Sequence, residues 1–572
     1  MTARHDRAER RCEPPARSSG GAAPPADESG EVRVAPAVAP SRDDAAIVAK
    51  LAAAIVTCDR PGSLARAAAS FVDAGRRHGG APRVVVFDDS RAAPSRAANV
   101  ASLRALAASE VDVSYAGPAE KRAFAARLAR ASGVDERTVA FALLDPERCG
   151  LSVGANRNAA LLHFAGDAFA VADDDVEASV AKDPESDRGV VCTGEIEATR
   201  TRFFRDRRAA LAAAARADLD PLAEHRAVLG RTLRSLVDAA GDLADLRGAR
   251  PEMIDGARTG AMRVVATLTG IFGDSGMSSG VGFLLHWPDI AAGARGGAVA
   301  SSEADYRLAL ASREVFRAPR RIALARSGLF MAGSLGLDHR ALLPPFFPVM
   351  RNEDGVFGTT LRRAFEGACW AHLPCALLHA ADEGRAYEVD AIAASEAARL
   401  SEIVASMIHR VSFSPGAGTP SSRLAALGRN LADVSRERAT DFRDRVRGLL
   451  LDNAAARAAR LEALLHVHAA RAPFWAVDAR AHLARTRAAA AREDLHVPRD
   501  LAALRGPRGA AAFAQRLIGR FGELLVAWPA LVVAARALRA EGVALARPIE
   551  RRRSPSREPR PGGLSGVSGP AA

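Results

Sequence analysis

Before Glu177 a short apolar run stops at an acid three times: Ile55–Cys58 gives way to Asp59, Val84–Phe87 to Asp88 and Asp89, and Phe169–Ala172 to Asp173, Asp174 and Asp175. Between these runs lie stretches at helical spacing. One begins at Pro61, a residue suited to a first helical turn, and runs to about Arg77. Others cover about Ser95–Ala108 and Pro118–Ser132, flanking a further apolar run at Val111–Tyr115. Strands and helices alternating at these lengths imply an α/β fold with a mostly parallel sheet and helices on both faces. In open sheets of this kind ligands bind outside the carboxyl ends of the strands, which is where this chain collects its acids. Three consecutive carboxylates repel one another, so a partly buried triplet asks for a cation. Hard oxygen ligands at a strand tip suit Mg²⁺ or Mn²⁺ carrying a phosphorylated ligand, whereas an isolated triplet on its own would read as a solvated acidic turn. The pattern favours a nucleotide or phosphate ligand held through a metal. It does not separate transfer of a sugar from transfer of a nucleotidyl group.

Composition narrows the partners. The chain has 572 residues, and its 48% hydrophobic and 26% charged content is an ordinary globular balance with room for a large core. A net charge of +12 would suggest nucleic acid, but the excess is spread along the chain with acids between. It is almost all arginine: Lys50, Lys121 and Lys182 are the lysines, so no specific nucleic-acid partner is expected. The six cysteines show neither a CxxC pair nor zinc-like spacing and read as buried thiols in a reducing compartment. The first twenty residues lack the apolar core of a signal peptide, and Leu524–Ala535, interrupted by Pro529, is short for a membrane span. The expectation is a cytoplasmic protein.

Taken in order, residues 1–44 have no periodicity and read as a disordered arm. Residues 45–385 hold the alternating pattern, with an inserted helical pair at about 203–246, a strand at Met262–Gly270 and a glycine- and serine-rich loop at Ile271–Gly282. That loop contains GDSG (Gly273–Gly276), the string of a trypsin-like nucleophile loop, but long helices contradict an all-β protease. A mobile cover over donor or acceptor is the expected use. Residues 389–545 are helical in character and read as a bundle, with Phe474, Trp475, Trp528 and Leu524–Leu538 as core. This region is open to an acceptor, a partner or a peripheral membrane contact, and its pattern does not choose. Residues 546–572 form a basic tail, read as disordered.

Five segments, in this order, resemble the GT-A glycosyltransferases, especially the large family-2 type. They are IVTCDRPGSLARAAASF (Ile55–Phe71), VVVFDDS (Val84–Ser90), GANRNAAL (Gly154–Leu161), AVADDDV (Ala170–Val176) and NEDGVFGTTLRRAF (Asn352–Phe365). LPCALLH (Leu373–His379) is similar to the closing strand whose histidine completes the metal site in some members. His372, seven residues earlier, would face the other side of an extended segment. The resemblance spans about Ala52–Ala381 and implies a GT-A-like core. It implies a divalent cation on Asp175 and His379, and a nucleotide-diphosphate sugar donor contacted by Thr57, Asp59, Asp88, Asp89, Arg157, Asp173 and Asp174. Within that set, Arg157 would pair with phosphate oxygens, Asp173 would lie near the ribose, and Asp88 or Asp89 would read the base or ribose. Asp354, with Glu353 beside it, would take the proton from an acceptor hydroxyl; both acids would also suit a helix N-terminus. A QxxRW string is absent after Glu353, so the implied activity is a non-processive, inverting glycosyl transfer to an acceptor that the sequence does not name. Two alternatives stand beside it: a sugar-phosphate nucleotidyltransferase, for which TCDRPGS is a poor phosphate loop, and a catalytically silent scaffold that binds a partner through its helices.

Overall fold

The computed structural model describes residues 51–194, 198–277, 280–281, 284–285, 302–326, 330–331, 333–381, 385–387, 398–470 and 473–550. The arm at 1–44 and most of the tail lie outside these residues. The strands are β1 Ala53–Thr57, β2 Arg83–Asp88, β3 Asp112–Ala116, β4 Ala168–Asp173, β5 Val176–Lys182, β6 Val190–Thr193, β7 Arg200–Phe203 and β8 Ala215–Arg216. After them come β9 Ala244–Gly248, β10 Arg263–Asp274, β11 Glu314–Ala318, β12 Ile322–Ala325, β13 Ser334–Asp338, β14 Ala368–His379 and β15 Arg547–Pro548. They form one mixed sheet whose main path runs β15-β3-β2-β1-β4-β13-β10-β14-β12-β6-β9.

Strand periodicity explains how both faces are covered. Ala54, Val56, Val85, Phe87, Phe169 and Val171 point to one side, and Ala53, Ile55, Val84, Val86, Ala170 and Ala172 to the other. The second side is covered by helices Pro61–Arg77 and Ala93–Ala108 and by helices of the 203–259 region. The first side is covered by helices Pro118–Ser132, Glu136–Leu143, Val153–His163 and Glu353–Ala364, together with the C-terminal helices. Leu427, Phe521, Leu524 and Trp528 thus share a core with the sheet residues, and the described residues form one compact unit. The expected inserted pair is three short helices, Arg207–Ala213, Pro221–Val228 and Leu233–Ala240.

Helix Arg499–Ala540 is much longer than its apolar stretch suggested. Gly506, at φ +72° and ψ 160°, interrupts it, and Pro507 opens the longer second part. It is long and apolar enough to cross a membrane, yet 61% of its most apolar stretch is buried inside the protein. Trp528 is fully buried, and its Nε1 donates to the Leu343 carbonyl at 2.7 Å. The structure is therefore an α/β fold with a mixed sheet, parallel from β3 through β2 and β1 to β4, and a C-terminal helical region.

Strand direction then locates the ligand edge. β1, β2, β3 and β4 are parallel, and β13 runs against both β4 and β10, so β10 and its parallel neighbour β14 point the same way as β4. Six strands present their carboxyl ends at one edge. The chain steps from β1 outward to β2 and β3 but places β4 on the opposite side of β1, which makes the β1/β4 crevice a topological switch point.

Candidate active site

Asp173 ends β4 opposite Val56 of β1. Asp174 and Asp175 are the turn by which the chain leaves β4 and crosses to β14 as β5. The β5/β14 register sets Val176 against His379, and the Ala380 N–H donates to the Asp175 carbonyl at 2.7 Å. That register brings Asp175 to His379, with 3.2 Å between Oδ1 and Nε2. On the far side of the imidazole, Nδ1 lies 2.6 Å from the Asp274 carbonyl at the end of β10.

The triplet is neutralised by the protein's own cations. Arg60 spans two acids, with Nη1 2.5 Å from Asp175 Oδ2 and Nη2 2.6 Å from Asp174 Oδ1. The Thr57 hydroxyl donates to Asp174 Oδ2 at 2.7 Å. Arg157 bridges Asp173 Oδ1 at 2.6 Å and Glu353 Oε1 at 3.2 Å. Burial pushes the Asp174 carboxyl up to about 7 against the pull of Arg60 and Thr57. Burial would raise Asp175 too, but the hydrogen bond and charge of His379, followed by Arg60, hold it well below the usual carboxylate range. For His379 burial alone would lower the pKa; Asp175 on Nε2 and the Asp274 carbonyl on Nδ1 outweigh it and push the imidazole up to about 9. At neutral pH this ring is an imidazolium donating from both nitrogens.

Helix Val153–His163 carries GANRN, and its docking fixes Arg157. A Cβ at Gly154 would fall 1.8 Å from the Phe347 carbonyl oxygen, so only glycine permits this approach. The Ala155 N–H donates to the Pro348 carbonyl, while Asn158 accepts from the Phe346 N–H and donates to its carbonyl. The first turn is thereby pinned to the segment leading into Glu353, and Arg157 and Glu353 meet, both almost fully buried. Burial, then the neighbouring Asp354 charge, raise the Glu353 pKa. Asp354 lies half-buried in the first turn of helix Glu353–Ala364.

Other anticipated donor residues have internal partners. Asp88 is fully buried: Oδ1 accepts from the Ser90 N–H, and Oδ2 from Asn99 Nδ2 and Tyr115 Oη. Reading a base or ribose is therefore closed to it, and its task is to hold the loop after β2. Asp59, at φ +53°, accepts from the N–H groups of Arg91 and Ala92 and ties the end of β1 to that same loop. Asp89 pairs with Lys121, a fully buried lysine that also donates to Asn156 Oδ1. Asn156 Nδ2 in turn donates to the Thr57 and Phe87 carbonyls, stitching β1 to β2. Arg157, expected on phosphate oxygens, is instead enclosed by carboxylates. The Ile271–Gly282 loop begins later than anticipated, because β10 continues through Asp274 beside β14 and β11.

Arg60 and Lys121 were absent from the sequence-based site, and Asp274 entered it only as the acid of the Gly273–Gly276 loop, a reserve candidate for the base. Lys121 carried a signal, being one of three lysines in an arginine-rich chain; Arg60 carried only its place in TCDRPG.

Among the described residues no group of three or more His, Cys, Asp and Glu side chains is placed to hold a metal ion. The pair Asp175 and His379 would nonetheless offer a two-residue donor set once Nε2 gives up its proton. Their 3.2 Å separation is close to the roughly 3 Å between neighbouring ligands at about 2.1 Å from an octahedral ion. Mg²⁺-type sites complete their shell with water and substrate phosphate, so two protein ligands suffice. The Nδ1 contact to a backbone carbonyl is also the arrangement that aims Nε2 of a metal-binding histidine. No protein-family model, curated protein or solved structure matches this chain.

Proposed function

We propose that this chain is a metal-dependent, non-processive, inverting glycosyltransferase with a GT-A-like core, moving a sugar from a nucleotide-diphosphate donor to an acceptor hydroxyl. The observation that carries the reading is the meeting of Asp175, just after β4 beside the β1/β4 switch point, with His379 at the end of β14, through the register of β5 on β14. A divalent ion on that pair would supply charge neutralisation for the departing diphosphate. Asp173, the last residue of β4, is held by Arg157 and is the acid we assign to the ribose. Asp89, fixed by Lys121, takes the base or ribose contact that Asp88 cannot. Asp354, half-buried in the first turn of its helix, is the acid we assign as the acceptor base, and Glu353, tied to Arg157, is a positioning residue. One base on the side opposite the leaving group gives inversion. Against a nucleotidyltransferase stands the absence of lysine between β1 and its following helix, and the burial of Lys121 away from solvent.

The test is calorimetric titration of UDP and GDP with Mn²⁺ into the wild type and Asp175→Ala. Loss of an electrostatic stabiliser of this kind is worth on the order of 3 kcal/mol, so metal-dependent affinity is expected to fall about a hundredfold. An unchanged affinity in Asp175→Ala removes the metal assignment. No Mn²⁺-dependent binding or nucleotide-sugar hydrolysis by the wild type removes the transferase reading.

A further inference from the structure

The two guanidiniums that neutralise the triplet are held differently. Arg157 has a side chain only 2% exposed and is clamped between carboxylates contributed by β4 and by helix Glu353–Ala364. Arg60 is 39% exposed and reaches Asp174 and Asp175 from the residue preceding helix Pro61–Arg77. Arg60 also occupies the contested position. Asp175 has one oxygen on His379 and the other on Arg60, so a divalent ion on the Asp175–His379 pair meets a resident positive charge on the same carboxylate. Cations crowded on one carboxylate repel strongly.

We infer that Arg60 is a displaceable counter-ion of the site. It neutralises Asp174 and Asp175 while no ligand is bound, gives way when a divalent cation takes Asp175, and then pairs with the diphosphate oxygens. Its planar fork suits that second task, and its exposure permits the movement that Arg157 lacks. This assigns to Arg60 the phosphate contact that GANRN suggested for Arg157. The inference rests on the metal site proposed above.

Two titrations test it: Mn²⁺ alone into the wild type, Arg60→Gln and Arg60→Lys, followed by electron paramagnetic resonance, and inorganic pyrophosphate into the Mn²⁺-loaded proteins, followed by calorimetry. Arg60→Gln is expected to bind Mn²⁺ on the order of tenfold tighter, because a competing charge is gone, and pyrophosphate about tenfold weaker. Arg60→Lys keeps the charge without the fork and falls between; it carries the same comparison if Arg60→Gln does not fold. A merely structural role moves both affinities down together, which overturns the inference. Measurable but equal Mn²⁺ affinity in all three proteins also overturns it and leaves the metal site standing. Tighter Mn²⁺ with unchanged pyrophosphate removes the phosphate contact. Mn²⁺ binding to none of them removes the metal site and the inference with it.

Discussion

His379 offers a test of the site's electrostatics that needs no ligand. Its imidazole is pushed from 6.5 up to about 9 in the folded protein, because Asp175 and the Asp274 carbonyl outweigh burial. A pKa raised by folding means that the native state binds the proton more tightly. The stabilisation is complete below the unfolded value of 6.5 and is lost as pH rises through 9. A shift of this size corresponds to on the order of 3 kcal/mol. Urea unfolding of the wild type and His379→Gln, at pH 6 and again near pH 10, reads it directly. The gap between the two proteins is expected to be a few kcal/mol at pH 6 and to shrink by most of that at the higher pH. Asp174, raised to about 7 by burial, also favours the protonated fold as pH falls, but it is present in both proteins and largely cancels in the difference. The same proton must leave Nε2 before the ring can bind a metal, so Mn²⁺ affinity should climb with pH up to about 9. A stability gap that is flat or widens with pH would mean that His379 is neutral in the fold and that the charge balance described for Asp175 is wrong.

Two substitutions probe the neighbouring positions. Gly154→Ala sets helix propensity, which favours alanine by about 1 kcal/mol, against a backbone collision with Phe347; denaturation should show a net loss of about 1–3 kcal/mol or more, and a gain would show that the close approach is not fixed. Asp354→Asn should leave UDP or GDP binding with Mn²⁺ intact while single-turnover transfer falls about 10²- to 10⁴-fold; retained transfer removes Asp354 as the base.

What the sequence made legible follows the reach of each signal. The strands of the first half and their acidic ends are local features, written in period-2 apolar runs that stop at aspartates. Asp175 and His379 were paired through the order of segments, but the cause of their meeting, β5 leaving β4 to run against β14, leaves no mark in either segment. Arg60 is 115 residues from Asp175 and Arg157 is 196 from Glu353, so these ion pairs depend on tertiary register alone. Gly270 read as the last residue of a strand and Gly273 as part of a mobile loop, because clustered glycines commonly mark loops. Both lie within β10, where an added Cβ would come within 2.0 Å of the Arg317 carbonyl oxygen at Gly270 and 2.7 Å of the His379 carbonyl oxygen at Gly273. Helices at 389–545 were evident from spacing, but a helical pattern does not say what it covers, and here it covers one face of the sheet.

The paired acids after β2 differ in a way that strand geometry alone makes readable. Successive strand residues face opposite sides of a sheet, so Asp88 must share a side with Val84 and Val86, and Asp89 with Val85 and Phe87. The side of Asp88 belongs to helix Ala93–Ala108, and Asn99 on that helix binds the Asp88 carboxylate. The other side belongs to helix Pro118–Ser132, which supplies Lys121 to Asp89. Asn99 has no net charge and binds a carboxylate that Tyr115 and a backbone N–H also satisfy, which closes that side inside the protein. Lys121 brings a charge that orients Asp89 next to Asn156, the residue that joins the ends of β1 and β2 at the ligand edge. Strand parity therefore sends the two carboxylates to opposite sides of the sheet, Asp88 onto Asn99 and Asp89 onto Lys121.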